Sequence, residues 1–558
     1  MEIKIKQISS LEKVRVNDKL DHVEIHKKSV LAGERISYQI CMKSAEPVLI
    51  TASVESPLAD CVKLYHVKDA YMDVPVTADV AMEDYITQEP GFMPDILVPM
   101  EETNDRLSLS NRVSTLWVKV DVPKAVAPGI YPVNIKLTAN FINSNVINAD
   151  TVLVFYETMT IEVVPAIMPE QKLIYTRWFY ADCIAVAHGV EIFSEAHWEL
   201  IDKYIAAATD VGINMILVPI HTPPLDTEIG TKRPCVQLVD IEKKGERYEF
   251  SFPKFRHFID ICKKNGIQYF EMAHMFSQWG AKCAPNIMVT ENGRTDYVFG
   301  WQVAADSDEY VSFLKQYIAA ISEELEKEGI SESTYFHISD EPTMNNIDTY
   351  KTASEIIRPL IGNSKTFDAL SNYVFYEKGL VECPVTSVSH VHEFLEHDIP
   401  NQWVYYCCGP QRVFPSISMS FPSYRARILG FLLYKYDIKG FLHWGFNYYN
   451  AVVSVYPINP YLTTSGDGAY PSGDPFIVYP AKGDVYPSIR GEVTYEAIQD
   501  VNVCFALEKL IGRENVVRMI DEAAGSDLRF DDYPRCKEFI ESLRAKMVEQ
   551  IGKLCVND

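Results

Sequence analysis

Two adjacent carboxylates, Asp340 and Glu341, end the segment YFHISDEP, between the run Tyr335-Phe336-His337-Ile338-Ser339 and Pro342. The aromatic and β-branched run reads as a buried strand. Carboxylates at such a strand end need partners or a task. Paired carboxylates can do acid–base chemistry, one supplying a proton while the other stabilises developing charge. The bland alternative is that Asp340 caps the following helix and Glu341 binds free N–H groups in its first turn. His390 and His392 are spaced to share one face of a strand, as metal ligands do. No third ligand at an informative spacing accompanies them, and neither metal nor cofactor is expected.

The elements that must position these groups change character along the chain. Residues 1–165 carry short alternating segments, among them RISYQICM, PVLITASV, STLWVKVDV and IYPVNIKLTA, separated by turn clusters such as Ala127-Pro128-Gly129. That pattern predicts an antiparallel β-sandwich. After the linker Val164-Pro165-Ala166-Ile167-Met168-Pro169, strand and helix patterns alternate through residues 170–515. The strands are LIYTRWFYAD, NMILVPIHTP, IQYFEMAHMF, TYFHISDEP, KTFDALSNY, PVTSVSHVHEF, QWVYYCCGP and KGFLHWGFNYYN. About eight such strands close a (β/α)8 TIM-type barrel. Amphipathic helical runs precede the fourth and the eighth. Residues 516–558 are expected to be a C-terminal helical extension packing on the barrel.

By this count the Asp-Glu pair stands at the C-terminal end of the fourth strand, where barrel enzymes carry their chemistry. Other strand ends bring Arg177, Trp178, His221, Glu271, His274, Asn372, Tyr373, His390, His392, Trp444, Asn447 and Tyr448 toward the same rim. Aromatic walls, amides and carboxylates, without a phosphate-cradling glycine loop, suit a sugar. Adjacent strand residues point to opposite faces, so the pair cannot easily flank one anomeric carbon in a two-carboxylate hydrolysis. A substrate-assisted reaction avoids this difficulty. The sugar's own 2-acetamido oxygen is then the nucleophile; one carboxylate holds the acetamido N–H and its developing charge, and its neighbour protonates the leaving oxygen. Pro342 would end the strand and help splay the two side chains.

The motifs SDEP, GFLHWGFNYYN, GDPFIVYP and SIRGEVTYEAIQD resemble those of glycoside hydrolase family 123 and its relatives of unassigned function, across roughly residues 20–515. The resemblance implies a sandwich followed by a barrel. It further implies a retaining, substrate-assisted exo-β-N-acetylgalactosaminidase whose adjacent Asp and Glu match Asp340 and Glu341. Catalysis is accordingly expected from Asp340 and Glu341. Substrate binding is expected from Trp444, Asn447, Tyr448, His274, Asn372, Tyr373, His392, Arg177 and Trp178, with Trp178 and Trp279 as the fallback aromatic wall. Arg490 and Glu492 are expected to form a buried structural pair outside the site.

A formal charge of −24 and a pI near 5.0 argue against a nucleic-acid or anionic-membrane surface and favour a neutral ligand, consistent with the carbohydrate partner expected from the site. The opening MEIKIKQISS has no apolar leader, no run is long enough to span a bilayer, and twelve cysteines show no CxxC pair. A soluble, cytoplasmic chain of undetermined oligomeric state is expected. Three classes compete: an acetamido-assisted hexosaminidase, a glycosidase of the same barrel acting on a sugar without that group, and a non-catalytic carbohydrate-binding protein. A metal-dependent hydrolase using the histidines is a distant fourth.

Overall fold

The structure is a computed structural model, which describes residues 2–76, 84–143, 146–409 and 413–556. The first part is a sandwich of two five-stranded sheets. One sheet has the order Ile3–Ser9, Arg35–Ser44, Val113–Asp121, Val62–Met72 and Gly91–Pro99. The other runs Lys27–Ala32, Val146–Ile167, Gly129–Asn143, Val48–Glu55 and Arg106–Leu109. Pairing is antiparallel except between Lys27–Ala32 and Val146–Ile167, which run parallel. Alternation sets the core: Val133, Ile135, Leu137 and Ala139 are fully buried and pack with Ile36, Tyr38 and Ile40 of the facing sheet.

The second part is a closed barrel of eight parallel strands: Ile174–Arg177, Met215–Val218, Tyr269–Met272, Thr334–Phe336, Lys365–Leu370, Cys383–Ser387, Trp403–Tyr405 and Gly440–His443. All eight expected strands are present, in the expected order. Closure occurs where Gly440 pairs with both Trp403 and Ile174. A Cβ at Gly440 would fall 2.1 Å from the Trp403 ring, so only glycine lets that seam close.

The helix ahead of the fourth strand, Asp308–Glu328, shows how local sequence places the pair. Ser307 caps it by accepting from the Tyr310 N–H, and Gly329 ends it in a left-handed conformation. Between these caps Tyr310, Phe313, Leu314, Tyr317, Ile318, Ile321 and Leu325 form the buried stripe that presses it onto the barrel.

Several features depart from the expected layout. A four-stranded sheet, in the order Arg247–Ser251, Asp240–Lys244, Ile287–Glu291 and Arg294–Phe299, is built from the loops after the second and third strands. The helices after the fifth and sixth strands shrink to Val374–Glu377 and Val391–Leu395. The last helix, Lys537–Cys555, packs on helix Ile489–Ile511 and also on the sandwich strands Val146–Ile167 and Lys27–Ala32, bridging the two parts. Arg490 and Glu492 are buried but not paired with each other: Arg490 meets Asp95 at 2.8 Å, and Glu492 meets Lys119 at 3.4 Å and Arg35 at 3.6 Å. Their positions on one helix turn them toward different sandwich strands. Among the described residues no helix is long and apolar enough to cross a membrane, and all twelve thiols are free.

Candidate active site

The fourth strand ends at Phe336, so Asp340 and Glu341 lie in the loop beyond it rather than on the strand itself. Strand alternation therefore does not separate their side chains. Glu341 adopts φ +40°, a left-handed backbone that is costly for a residue with a β-carbon and that turns the pair apart ahead of Pro342. Nor does the pair cap the next helix. Thr343 takes that role, its N–H donating to Asn346 Oδ1 at 2.8 Å in a capping box. The two carboxylates are thus released from the structural task that adjacent acids most often serve.

Beneath the pair, a buried polar cassette fixes the loop. His337 lies between Glu271 Oε2 at 2.9 Å and Asp368 Oδ1 at 3.0 Å. Burial works against its protonation, but hydrogen bonds donated to both flanking carboxylates raise its pKa, favouring imidazolium. Asp368 also accepts from the main-chain N–H groups of Ile338 and Ser339, at 3.1 and 3.3 Å, and from Tyr350 Oη at 2.5 Å. Those two amides immediately precede Asp340, so Asp368 sets the path of the carboxylate-bearing backbone. His274, His337 and Asp368 form a group of possible metal donors. Both ring nitrogens of His337 already face carboxylate oxygens, so a metal would have to break that bridge, and the donor set does not fit one.

The electrostatics at the rim differ. Burial, reinforced by the charges of Glu341, Asp226 and Asp368, pushes the Asp340 carboxyl well above the usual carboxylate range. Asp226, on the loop after the second strand, is pushed up to about 6, by burial first and by Glu341 in addition, with Arg233 opposing. Arg233 is itself held by both oxygens of Asp182. Among the described residues no Lys, Arg or His side chain forms an ion pair with Asp340, Glu341 or Asp226. Tyr405, at the end of the seventh strand, donates to Glu341 Oε1 at 2.5 Å. Burial and the charge of Glu341 keep its phenol protonated and hence a donor.

The aromatic wall is built by three motifs that lock together. Trp444 Nε1 donates to Asp474 Oδ2 at 2.6 Å, and its ring meets Tyr448 and Tyr470 at centroid distances of 5.2 and 4.8 Å. A Cβ on Gly445 would fall 2.5 Å from the Asp474 carbonyl oxygen, so the segment GFNYYN can approach GDPF only with glycine there. The Tyr448 N–H donates to Pro475 O at 3.1 Å and the Ile477 N–H to Phe446 O at 3.0 Å. Arg490 of SIRGE donates to Phe476 O at 2.6 Å. Tyr180 Oη then links Trp444 O, at 3.2 Å, to Asp226 Oδ2, at 3.4 Å.

The chain belongs to glycoside hydrolase family 123. The model of its catalytic domain matches residues 178–507, more than half of the sequence. A solved structure of a family 123 glycoside hydrolase from Clostridium perfringens aligns with a TM-score of 0.72 at 17% identity, covering 100% of this chain and 98% of that one. A glycoside hydrolase family 5 protein from Bacteroides vulgatus aligns at a TM-score of 0.33 and 13% identity over 62% of this chain and 68% of its own. No curated protein sequence matches.

Within this glycosidase the remaining expected residues divide. Trp178 packs edge-on to His274 and His337, at 5.3 and 5.9 Å, beneath the pair. His274 stacks on His337 at 3.8 Å, and both of its ring nitrogens are buried without a hydrogen-bond partner. Arg177 lies inside the barrel, donating to Tyr175 Oη and Gly445 O. His221 donates to His274 O at 2.9 Å.

The other expected substrate-binding residues make these contacts within the protein. Asn447 spends its amide on the main chain of Tyr180, at 2.9 and 3.1 Å, joining the first and eighth strand loops. Tyr448 is fully buried, its hydroxyl donating to Ala451 O. Asn372 accepts from the Val374 N–H, and Tyr373 stacks on His397 at 4.0 Å, so both serve their own loop. His390 and His392 do not share a strand face, because the sixth strand ends at Ser387 and a short helix follows; His392 faces Asp531 at 3.2 Å in the C-terminal extension. Sequence reasoning missed Asp226, Tyr405, His337, Asp368 and Asp474. Only His337, inside YFHISDEP, and Asp474, inside GDPF, lay in a motif that had been singled out.

Proposed function

We propose that this glycosidase is a retaining, exo-acting β-N-acetylhexosaminidase, with N-acetylgalactosamine the favoured sugar, whose nucleophile is the substrate's own acetamido oxygen. The observation that carries this reading is the adjacent pair itself: two carboxylates in one loop, with no ion-paired cation among the described residues and no helix-capping role, and with a proton favoured on Asp340. Burial and the neighbouring carboxylates favour the protonated form of Asp340. An acetamido N–H arriving there donates to the carboxyl and favours its ionised form, and the displaced proton passes to Glu341. Binding thereby arms the acid. The acetamido oxygen attacks the anomeric carbon, Glu341 protonates the departing oxygen, and ionised Asp340 stabilises the positive cyclic intermediate. Glu341 then takes a proton from the water that opens the ring, so configuration is retained overall.

A second reading rests on Asp226, a third carboxylate close enough to feel the charge of Glu341. Asp226 and Glu341 could serve a two-carboxylate hydrolysis of a sugar without the acetamido group. A screen of aryl β-glycosides of GalNAc, GlcNAc, galactose and glucose, run with and without a thiazoline mimic of the cyclic intermediate, separates the two. Turnover of the acetamido sugars with tight thiazoline inhibition supports the first reading. Turnover of galactose or glucose without such inhibition sinks it. The Clostridium perfringens relative is described as acting in glycolipid glycan hydrolysis, which makes glycan conjugates the natural substrates to try next.

A further inference from the structure

Trp279, in the loop after the third strand, has no task in the mechanism above. It is 46% exposed, whereas Trp444 is 7% exposed. Its backbone has φ +58°, a genuine outlier for a bulky side chain that persists only where surroundings impose it. Here they do. The Trp279 N–H donates to Asp340 O at 2.9 Å, and its carbonyl accepts from Asn346 Nδ2 at 3.1 Å. Gly280 follows at φ +119°, where a Cβ would fall 2.4 Å from the Asn346 amide, and its carbonyl accepts from Thr349 Oγ1 at 2.7 Å. On the other side Gln278 Oε1 accepts from the Asp226 N–H at 2.6 Å. The indole is therefore mounted on a rigid strut between the loops that carry Asp226 and the catalytic pair.

Depth then assigns the occupant. In an exo-acting site the terminal sugar lies inward, against the buried Trp444 wall, and the scissile bond lies at the pair. The leaving group must extend outward over the rim, where Trp279 is mounted. A single flat, exposed aromatic ring suits a pyranose, whose C–H face stacks on indole. A lipid would need a broad contiguous apolar surface. We propose that Trp279 is the stacking platform of a leaving-group subsite that takes the sugar to which the terminal residue is linked. This rests on the exo-glycosidase reading above.

The test uses Trp279→Asn, because Asn tolerates the left-handed backbone, and Trp279→Phe, which keeps a ring. Each variant is assayed on a β-linked disaccharide and on the glycosyl fluoride of the same terminal sugar, whose leaving group has no ring. Trp279→Asn should lose about tenfold or more in kcat/KM on the disaccharide and little on the fluoride, with Trp279→Phe retaining most of the parent activity. Equal losses on both substrates, or no loss on the disaccharide, would overturn the platform. The terminal sugar is whichever the aryl screen selects. If that sugar lacks an acetamido group, the hexosaminidase reading fails while the platform test proceeds unchanged.

Discussion

Where the sandwich meets the barrel, buried carboxylates lie against guanidinium and ammonium groups; at the barrel rim they lie against each other. At the interface Arg490 binds Asp95, Arg427 reaches Glu496 at 2.8 Å and Asp500 at 2.9 Å, and Arg35 reaches Asp121 and Asp210 at 2.5 and 2.6 Å. Burial works against ionisation of Asp210, yet Arg35 and Lys119 hold its carboxyl below the usual range. A cavity of about 1090 Å³ lies there too, lined by Arg427, Glu496, Glu34 and Arg544, whose charges are answered within the protein. At the rim, Asp340 and Asp226 are pushed the other way. Partial or complete burial is common to both regions. Among the described residues, what separates them is whether a Lys or Arg side chain is ion-paired with the carboxylate.

The comparison predicts large stability effects at the interface. Arg490→Met would leave Asp95 buried without its cation and strip donors from Gly473 O and Phe476 O. We expect a loss of roughly 3–5 kcal/mol, measured by denaturant unfolding, with much of it restored by adding Asp95→Leu. A loss under about 1 kcal/mol would remove the distinction between the regions.

Substitutions in the pair should show the reverse, a loss of activity without a loss of stability. Asp340→Asn should slow even activated aryl glycosides by about 10²–10³, as expected for removing one preorganised electrostatic group. Glu341→Gln should suffer most on poor leaving groups and least on activated ones, which depart with little protonation. Neither variant should melt below the parent, because Glu341→Gln removes a charge that Asp340 and Asp226 both feel and Asp340→Asn replaces a carboxyl on which a proton is already favoured. If added azide rescues the Asp340 variant as an inverted glycosyl azide, Asp340 is a covalent nucleophile and the acetamido group is not required.

The region legible in the sequence was the barrel wall. Eight apolar, β-branched runs set off by turn and helix signals located every barrel strand and put the pair at the end of the fourth, where the structure has it in the loop just beyond. Trp444 stood out because a motif surrounds it. Asp226 did not, since PLDTEIG carries no periodicity and its position depends on Gln278 and Ser454, which are distant in sequence and close only in the fold. Tyr405 was concealed within the apolar run WVYY, where an aromatic reads as core. Asn447 misled for the opposite reason: an amide at a strand end looks like a ligand donor until the neighbouring loop that takes its hydrogen bonds is visible.

The smallest effect gives the finest test of the contrast, because one experiment yields opposite signs in the two regions. Asp226 has a folded pKa of about 6 against an ordinary 3.8. Between those values the folded chain holds a proton that the unfolded chain has released, so stability falls as pH rises through that window and stays lower above it. Asp226→Asn abolishes the penalty. The variant should be more stable than the parent at pH 7, and the difference should vanish below about pH 4. Asp210, whose pKa is lowered by its cations, contributes stability above its unfolded pKa that is lost as pH falls through the folded one. Asp210→Asn should therefore destabilise at pH 7, and less so in acid. Melting curves of both variants against the parent across pH 4–7 read the two signs directly. If Asp226→Asn melts lower at pH 7, the Asp226 carboxylate is stabilised where it lies, and the account of the rim as a cluster of unanswered charges fails.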